Sequence, residues 1–162
     1  MWRRNNAALE DHFVVVYWTQ RGTGRSHHSD IPATSMNLEQ FVGDLDELVD
    51  KLKKQFQKKK VLLVGHSCST NIGVAYPQAH PDNVSAYMGI GQIANSAEGE
   101  RRTYAFTLAE AKRRMDAEAL AELTKIGAPR YSIDAMMIQR GWLDKYGGAS
   151  RKQRSMLDLM LT

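Results

Sequence analysis

The sequence is most informative at first for what it lacks. It has a single cysteine, Cys68, in 162 residues. A lone thiol excludes an intrachain disulfide and suits a reducing compartment. The amino end, "MWRRNNAALEDHF", lacks the apolar core of a secretory signal. No apolar run approaches the roughly 20 residues of a membrane span. No spacing of His, Cys, Asp and Glu suits a metal, and no histidine follows His80. Internal repeats and low-complexity tracts are also missing. A soluble, cytoplasmic globular protein is the expectation, with no metal, no cofactor and no membrane partner.

Charge of one sign does not dominate either. The 22 basic and 18 acidic residues leave a net charge of +4 and are intermixed along the chain. "KKQFQKKK" (Lys53–Lys60) is the one dense cluster. Without a basic face interleaved with aromatics, Lys58–Lys60 reads as a solvated helix end, where cations suit the dipole. No nucleic-acid partner is expected.

The remaining composition is that of an ordinary globular chain, 43% hydrophobic and 25% charged, long enough for one real core. "HFVVVYW" (His12–Trp18) and Val61–Val64 are short, β-branched and apolar on both faces. They predict parallel strands buried on both sides. Val84–Ile90 predicts a third. Between the first two, Leu38, Phe41, Val42, Leu45, Leu48, Val49, Leu52 and Phe56 form one apolar stripe at helical spacing. Asn37 is positioned to cap that helix, with Gln40 as its capping-box partner. A second helix is predicted over Cys68–Ala79, and Pro77 inside it is expected to kink or end it.

After Gln92 the strand signals vanish. Thr107 with Glu110 predicts a helix start, with Leu108, Ala111 and Met115 on one face. Asp116 can cap a further helix, which Gly127 and Pro129 stop. Ser132–Lys145 and Ser150–Leu161 predict two more. The expected division is an α/β part over residues 1–94 and a helical part over 95–162.

The chemistry concentrates in "VLLVGHSCST" (Val61–Thr70). A buried strand ends at Gly65, and Ser67 sits at a sharp turn into a helix. This is nearly the nucleophile-elbow pattern G-x-S-x-G, with Ser69 where the last glycine belongs. The Cys68 N–H at the helix start is a candidate oxyanion donor. Cys68 is itself a rival nucleophile, because a helix N-terminus lowers a thiol's pKa, although no paired base is identifiable. His80, the only histidine after Ser67, lies about 20 Å along the helix at 1.5 Å per residue. That is outside hydrogen-bond reach, and His12, His27, His28 and His66 read as ordinary strand-flanking or loop residues. "TQRGTGRS" has G-x-G but no third glycine and no Walker lysine, so a nucleotide loop is a poor reading.

The stretches "EDHFVVVYWTQRGTGRS", "MNLEQFVGDLDELV", "VLLVGHSCST", "AYMGIGQIANSAEGE" and "QRGWLDKYGG" together resemble the α/β-hydrolase superfamily, and within it the proline-iminopeptidase-like group. The resemblance covers nearly the whole chain in order. It implies a partial α/β-hydrolase fold, a short parallel sheet flanked by helices, with residues 95–162 as a helical cap segment. It implies a Ser-Asp-His triad acting on small peptides or esters, with Ser67 aligned to the nucleophile and the Cys68 N–H to an oxyanion donor. Glu98 and Glu100 are candidates to meet a substrate amine from the cap edge, against the plainer reading of carboxylates at a helix start.

The chain departs from the pattern at Thr19, where the "DQRG" loop has aspartate, and at Cys68 and Ser69, where an aromatic residue and glycine are usual. It resembles a middle fragment. The "HGGPG"-type loop is expected ahead of Met1, and the triad aspartate and histidine after Thr162. Such a chain is expected to be inactive alone, and to associate with itself or with a complementing fragment through unpaired sheet edges. The alternative reading is a truncated, inactive hydrolase homologue with at most a binding role.

Overall fold

The computed structural model describes residues 6–128 and 132–149. The helix expected over Ser150–Leu161 lies outside the described residues. The chain divides into two compact units, Met1–Ile93 and Ala94–Thr162.

The first unit is α/β. After a short helix, α1 (Ala7–Glu10), come α2 (Leu38–Phe56), β1 (Val61–His66), α3 (Ser69–Ala79) and β2 (Val84–Ile90). The strands pair in parallel, from Val61 opposite Val84 to His66 opposite Ile90, with one irregularity after Val61. Parallel neighbours need a crossover, and α3 supplies it. Asn37 caps α2 by accepting from the Gln40 N–H at 2.8 Å. The reciprocal half of the box is not made, because the Gln40 amide donates to Asp44 instead. Leu45 and Val49 of α2 and Ile72 and Tyr76 of α3 form the core, flanked by Trp18, Phe41, Val61, Leu63 and Val84.

Three expectations need correction in this unit. The first strand does not form: residues 14–20 have no regular secondary structure. Phe13, Val14, Val16 and Tyr17 are exposed, and Trp18 packs on the core. A strand's backbone groups need a ladder partner, and among the described residues β1 and β2 pair only with each other. Nor are the two strands buried on both faces. Val61, Leu63 and Val84 pack on the helices, while Leu62, Val64, Met88 and Ile90 on the opposite face are 48–61% exposed. Finally, Pro77 does not end α3, which continues to Ala79. The proline lies in the last turn, where few bonds remain to be lost, and the His80 N–H closes that turn on the Tyr76 carbonyl at 2.8 Å.

A polar cluster locks the lower end of α3. Tyr76 is fully buried, and its hydroxyl donates to Asp46 at 2.9 Å. The Asn83 amide donates to both Asp46 and the Tyr76 oxygen, and Lys53 donates to Asn83. His80 stacks on Tyr76 and sits 3.3 Å from Asp46. The cluster joins α2, α3 and the turn before β2.

The second unit is helical: α4 (Ser96–Arg113), α5 (Ala117–Ile126) and α6 (Ile133–Lys145). Ala111, Ala119, Leu123, Trp142 and Tyr146 form its core. Asp116 and Ser132 cap α5 and α6 through their side chains. Thr107 is not a cap. Asn95 starts the helix by accepting from the Glu98 N–H at 3.0 Å, so Thr107 falls mid-helix, buried, donating back to the Thr103 carbonyl at 2.7 Å. Met115 also leaves the apolar face. It has φ of 54° in the turn after α4 and is 86% exposed.

Burial pushes the Tyr76 phenol up to about 12, with the Asp46 carboxylate adding to the shift. The folded state therefore holds this proton more tightly than the unfolded chain, whose tyrosine titrates near 10.0. Its contribution is complete below that value and is lost as pH rises through about 12. Tyr76→Phe is expected to cost about 2 kcal/mol at neutral pH. Its urea-unfolding free energy should decline less than the parent's between pH 10 and 12.

Candidate active site

The turn from β1 into α3 begins at a glycine in a tight place. A Cβ on Gly65 would lie 3.2 Å from both the Ser69 carbonyl oxygen and the Thr70 Cα. Eight residues on, a Cβ on Gly73 would lie 2.5 Å from the Tyr87 ring. The start of the helix thus packs closely on Gly65 of β1, Gly73 leaves room for the Tyr87 ring of β2, and the link between β1 and α3 is short. Ser67 carries that link with φ of 52°. This left-handed conformation costs an L-residue roughly 1–2 kcal/mol. Ser69, in the place of the usual glycine, is accommodated half-buried.

Hydrogen bonds fix the strained residue on both sides. The Ser67 N–H donates to the Ile90 carbonyl at the end of β2, at 2.9 Å. Its carbonyl accepts from the Thr70 N–H at 2.9 Å and the Thr70 hydroxyl at 2.6 Å. Cys68 occupies the N-cap position of α3 with an exposed free thiol and no side-chain capping bond. Ser67 is exposed too, at the carboxyl ends of both parallel strands. In open parallel sheets that end is where ligands bind.

Neither His12, His27 nor His28 is buried. His80 lies beyond the 11-residue length of α3, about 16 Å at helical rise, and is engaged with Asp46 and Tyr76. The glycine loop after residue 20 is held by Arg21, whose guanidinium donates twice to Asp44 of α2, at 2.8 and 2.6 Å. That pairing holds the Asp44 carboxyl below its ordinary range. It was not foreseen from the sequence, because nothing in the local pattern links residues 23 positions apart.

Glu98 and Glu100 lie in the first turns of α4. Glu98 accepts from Arg101 and Arg102, and these bonds hold its carboxyl down at about 2. Glu100 accepts from Arg140 through Oε1, while its Oε2 is buried without a partner among the described residues. Arg140 also donates to Gln139, which donates to Thr107 at 3.1 Å. Both acidic candidates thus carry guanidinium partners that sequence inspection missed; the i, i+3 and i, i+4 arginines after Glu98 were the available signal.

A family model described as serine aminopeptidase, S33, matches residues 7–128. A protein named "Probable aminopeptidase YbaC" from Bacillus subtilis (strain 168) is 32% identical over 161 residues, 98% of this chain and 50% of that protein. The chain thus spans about half the length of this curated relative. No solved structure matches it. Among the described residues, no helix is long and apolar enough to cross a membrane.

Two measurements check this geometry. Ser67→Gly should exceed Ser67→Ala in unfolding free energy by about 1 kcal/mol, since glycine enters the left-handed region without penalty; equal stabilities would contradict a strained turn. Carbon-detected NMR should place the Glu98 titration midpoint at about 2, and the double change Arg101→Ala, Arg102→Ala should move it up toward the ordinary 4.5.

Proposed function

The chain belongs to the serine aminopeptidase S33 family of α/β-hydrolases, and from that premise we propose that it carries the nucleophile segment of an aminopeptidase-like serine hydrolase acting through Ser67. The observation that supports this most is the positive φ of a non-glycine serine between a parallel strand and a helix. Such strain clusters at functional sites, and at Ser67 it falls at the carboxyl ends of both parallel strands, where ligands bind in open sheets.

The reaction is acyl transfer. Ser67 Oγ attacks the carbonyl carbon of a small peptide or ester and gives its proton to a base. The tetrahedral oxyanion accepts a hydrogen bond from the Cys68 N–H. The C–N or C–O bond then breaks, the leaving group takes the proton, and water hydrolyses the acyl-serine. His80 is engaged with Asp46 at the far end of α3, so the base in this reading is not His80. Of the two acidic candidates, Glu98 is held by two arginines, while Glu100 keeps one buried carboxylate oxygen without a partner among the described residues.

The uncovered sheet face around Val64 and Met88 supports association with a complementing segment or a second copy, since parallel sheets are normally covered on both faces. The exposed Cys68 thiol suits a cytoplasmic setting. The alternative, an inactive homologue with a binding role, is supported by the engagement of His80 far from Ser67.

Supplying a base tests the proposal. A fluorophosphonate probe should label the chain slowly alone and faster with added imidazole, with the adduct mapped to Ser67 by mass spectrometry and absent from Ser67→Ala. No imidazole-dependent labelling, or labelling that survives Ser67→Ala, would favour the inactive homologue.

A further inference from the structure

We propose that Thr70 is a positioning residue: its buried hydroxyl aims the Cys68 N–H at the reacting oxygen by gripping the Ser67 carbonyl. The inference rests on the reading of Ser67 as nucleophile and Cys68 N–H as oxyanion donor.

Thr70 is fully buried. A hydroxyl has one proton to donate and can accept in return. Here the proton goes to the Ser67 carbonyl at 2.6 Å, and the oxygen accepts from the Ile93 N–H at 3.1 Å. The Thr70 N–H reaches the same Ser67 carbonyl at 2.9 Å. Two donors from one residue thus pull that carbonyl toward the body of the helix.

The consequence follows from peptide geometry. The unit joining Ser67 to Cys68 is planar and trans, so its C=O and N–H point in opposite directions. Drawing the carbonyl inward turns the Cys68 N–H outward, to the side where Ser67 is exposed. Without the hydroxyl, one bond is left to oppose the tendency of Ser67 to leave its positive φ and rotate this peptide plane.

Thr70 also connects the elbow to the segment after β2. The Ser67 N–H donates to Ile90, Gly91 turns with φ of 60°, and Ile93 donates to Thr70. A Cβ on Gly91 would lie 4.0 Å from the Ser67 nitrogen. Both peptide planes of Ser67 are therefore referenced to the end of β2, one through Ile90 and the other through Thr70. A threonine that only started a helix would not need the Ile93 bond.

The test compares the full chain with Thr70→Val, which keeps the shape and removes the hydroxyl, and Thr70→Ser, which restores it. Imidazole-assisted fluorophosphonate labelling of Ser67 should slow at least about tenfold in T70V, as expected for a misplaced catalytic group, and return close to the parent rate in T70S. Labelling of T70V at the parent rate would overturn the proposal. A second measurement does not depend on labelling: the Ser67 backbone coupling constants should report positive φ in the parent and T70S and lose it in T70V. If the parent never labels, the nucleophile reading fails while the coupling constants still decide whether Thr70 sets the turn; an unchanged Ser67 conformation in T70V overturns it. Should T70V fail to fold, Thr70→Ala replaces it in both measurements.

Discussion

The close approach of α3 to the two-stranded sheet is the constraint on which the first unit depends. Gly65 and Gly73 make it possible by having no side chain, and the Tyr87 ring fills the space that Gly73 leaves. Once helix and strand are this near, the connection between them has only Ser67 and Cys68 to reverse direction. Ser67 takes up the unfavourable backbone conformation there, held by its bonds to Ile90 and Thr70. The exposure of its hydroxyl follows from packing rather than from any feature of the side chain itself.

The same α3 separates two polar sites. At its N-terminal end the serine, the free N–H groups and the positive end of the dipole are brought together. At its C-terminal end Tyr76, His80, Asp46 and Asn83 satisfy one another and anchor α2. An Asp–His pair is therefore present in the first unit, but it serves the packing of two helices. Its distance from Ser67 is set by the length of the helix, and no side-chain rearrangement spans that length. The chemistry proposed for Ser67 accordingly draws its base from elsewhere.

In the helical unit, charge is arranged by proximity along the helix and across it. Glu98 and Glu110 each collect two arginines three and four residues on. These exposed pairs add little stability, but they decide which carboxylates stay available. Glu100 differs because its partner, Arg140, comes from another helix and reaches only one of its oxygens.

Much of this was legible in the sequence. The stripe from Leu38 to Phe56, the Asn37 and Asp116 caps, the strand at Val84–Ile90 and the turn at Ser67 are local patterns, written within a few residues of one another. Thr107 misled because its own pattern with Glu110 was valid, while Asn95 offered an equally valid start twelve residues earlier. The segment at His12–Trp18 misled because strand propensity describes one chain and a strand needs two. The sequence by itself determined the helices, their caps and the serine at the strand-to-helix turn, since short-range sterics and hydrogen bonds set these. Tertiary structure alone decided which faces are covered, that the Thr70 hydroxyl is tied to Ile93, and that His80 is committed to Asp46, because each depends on groups that only the packing of the sheet and its helices brings within hydrogen-bond distance.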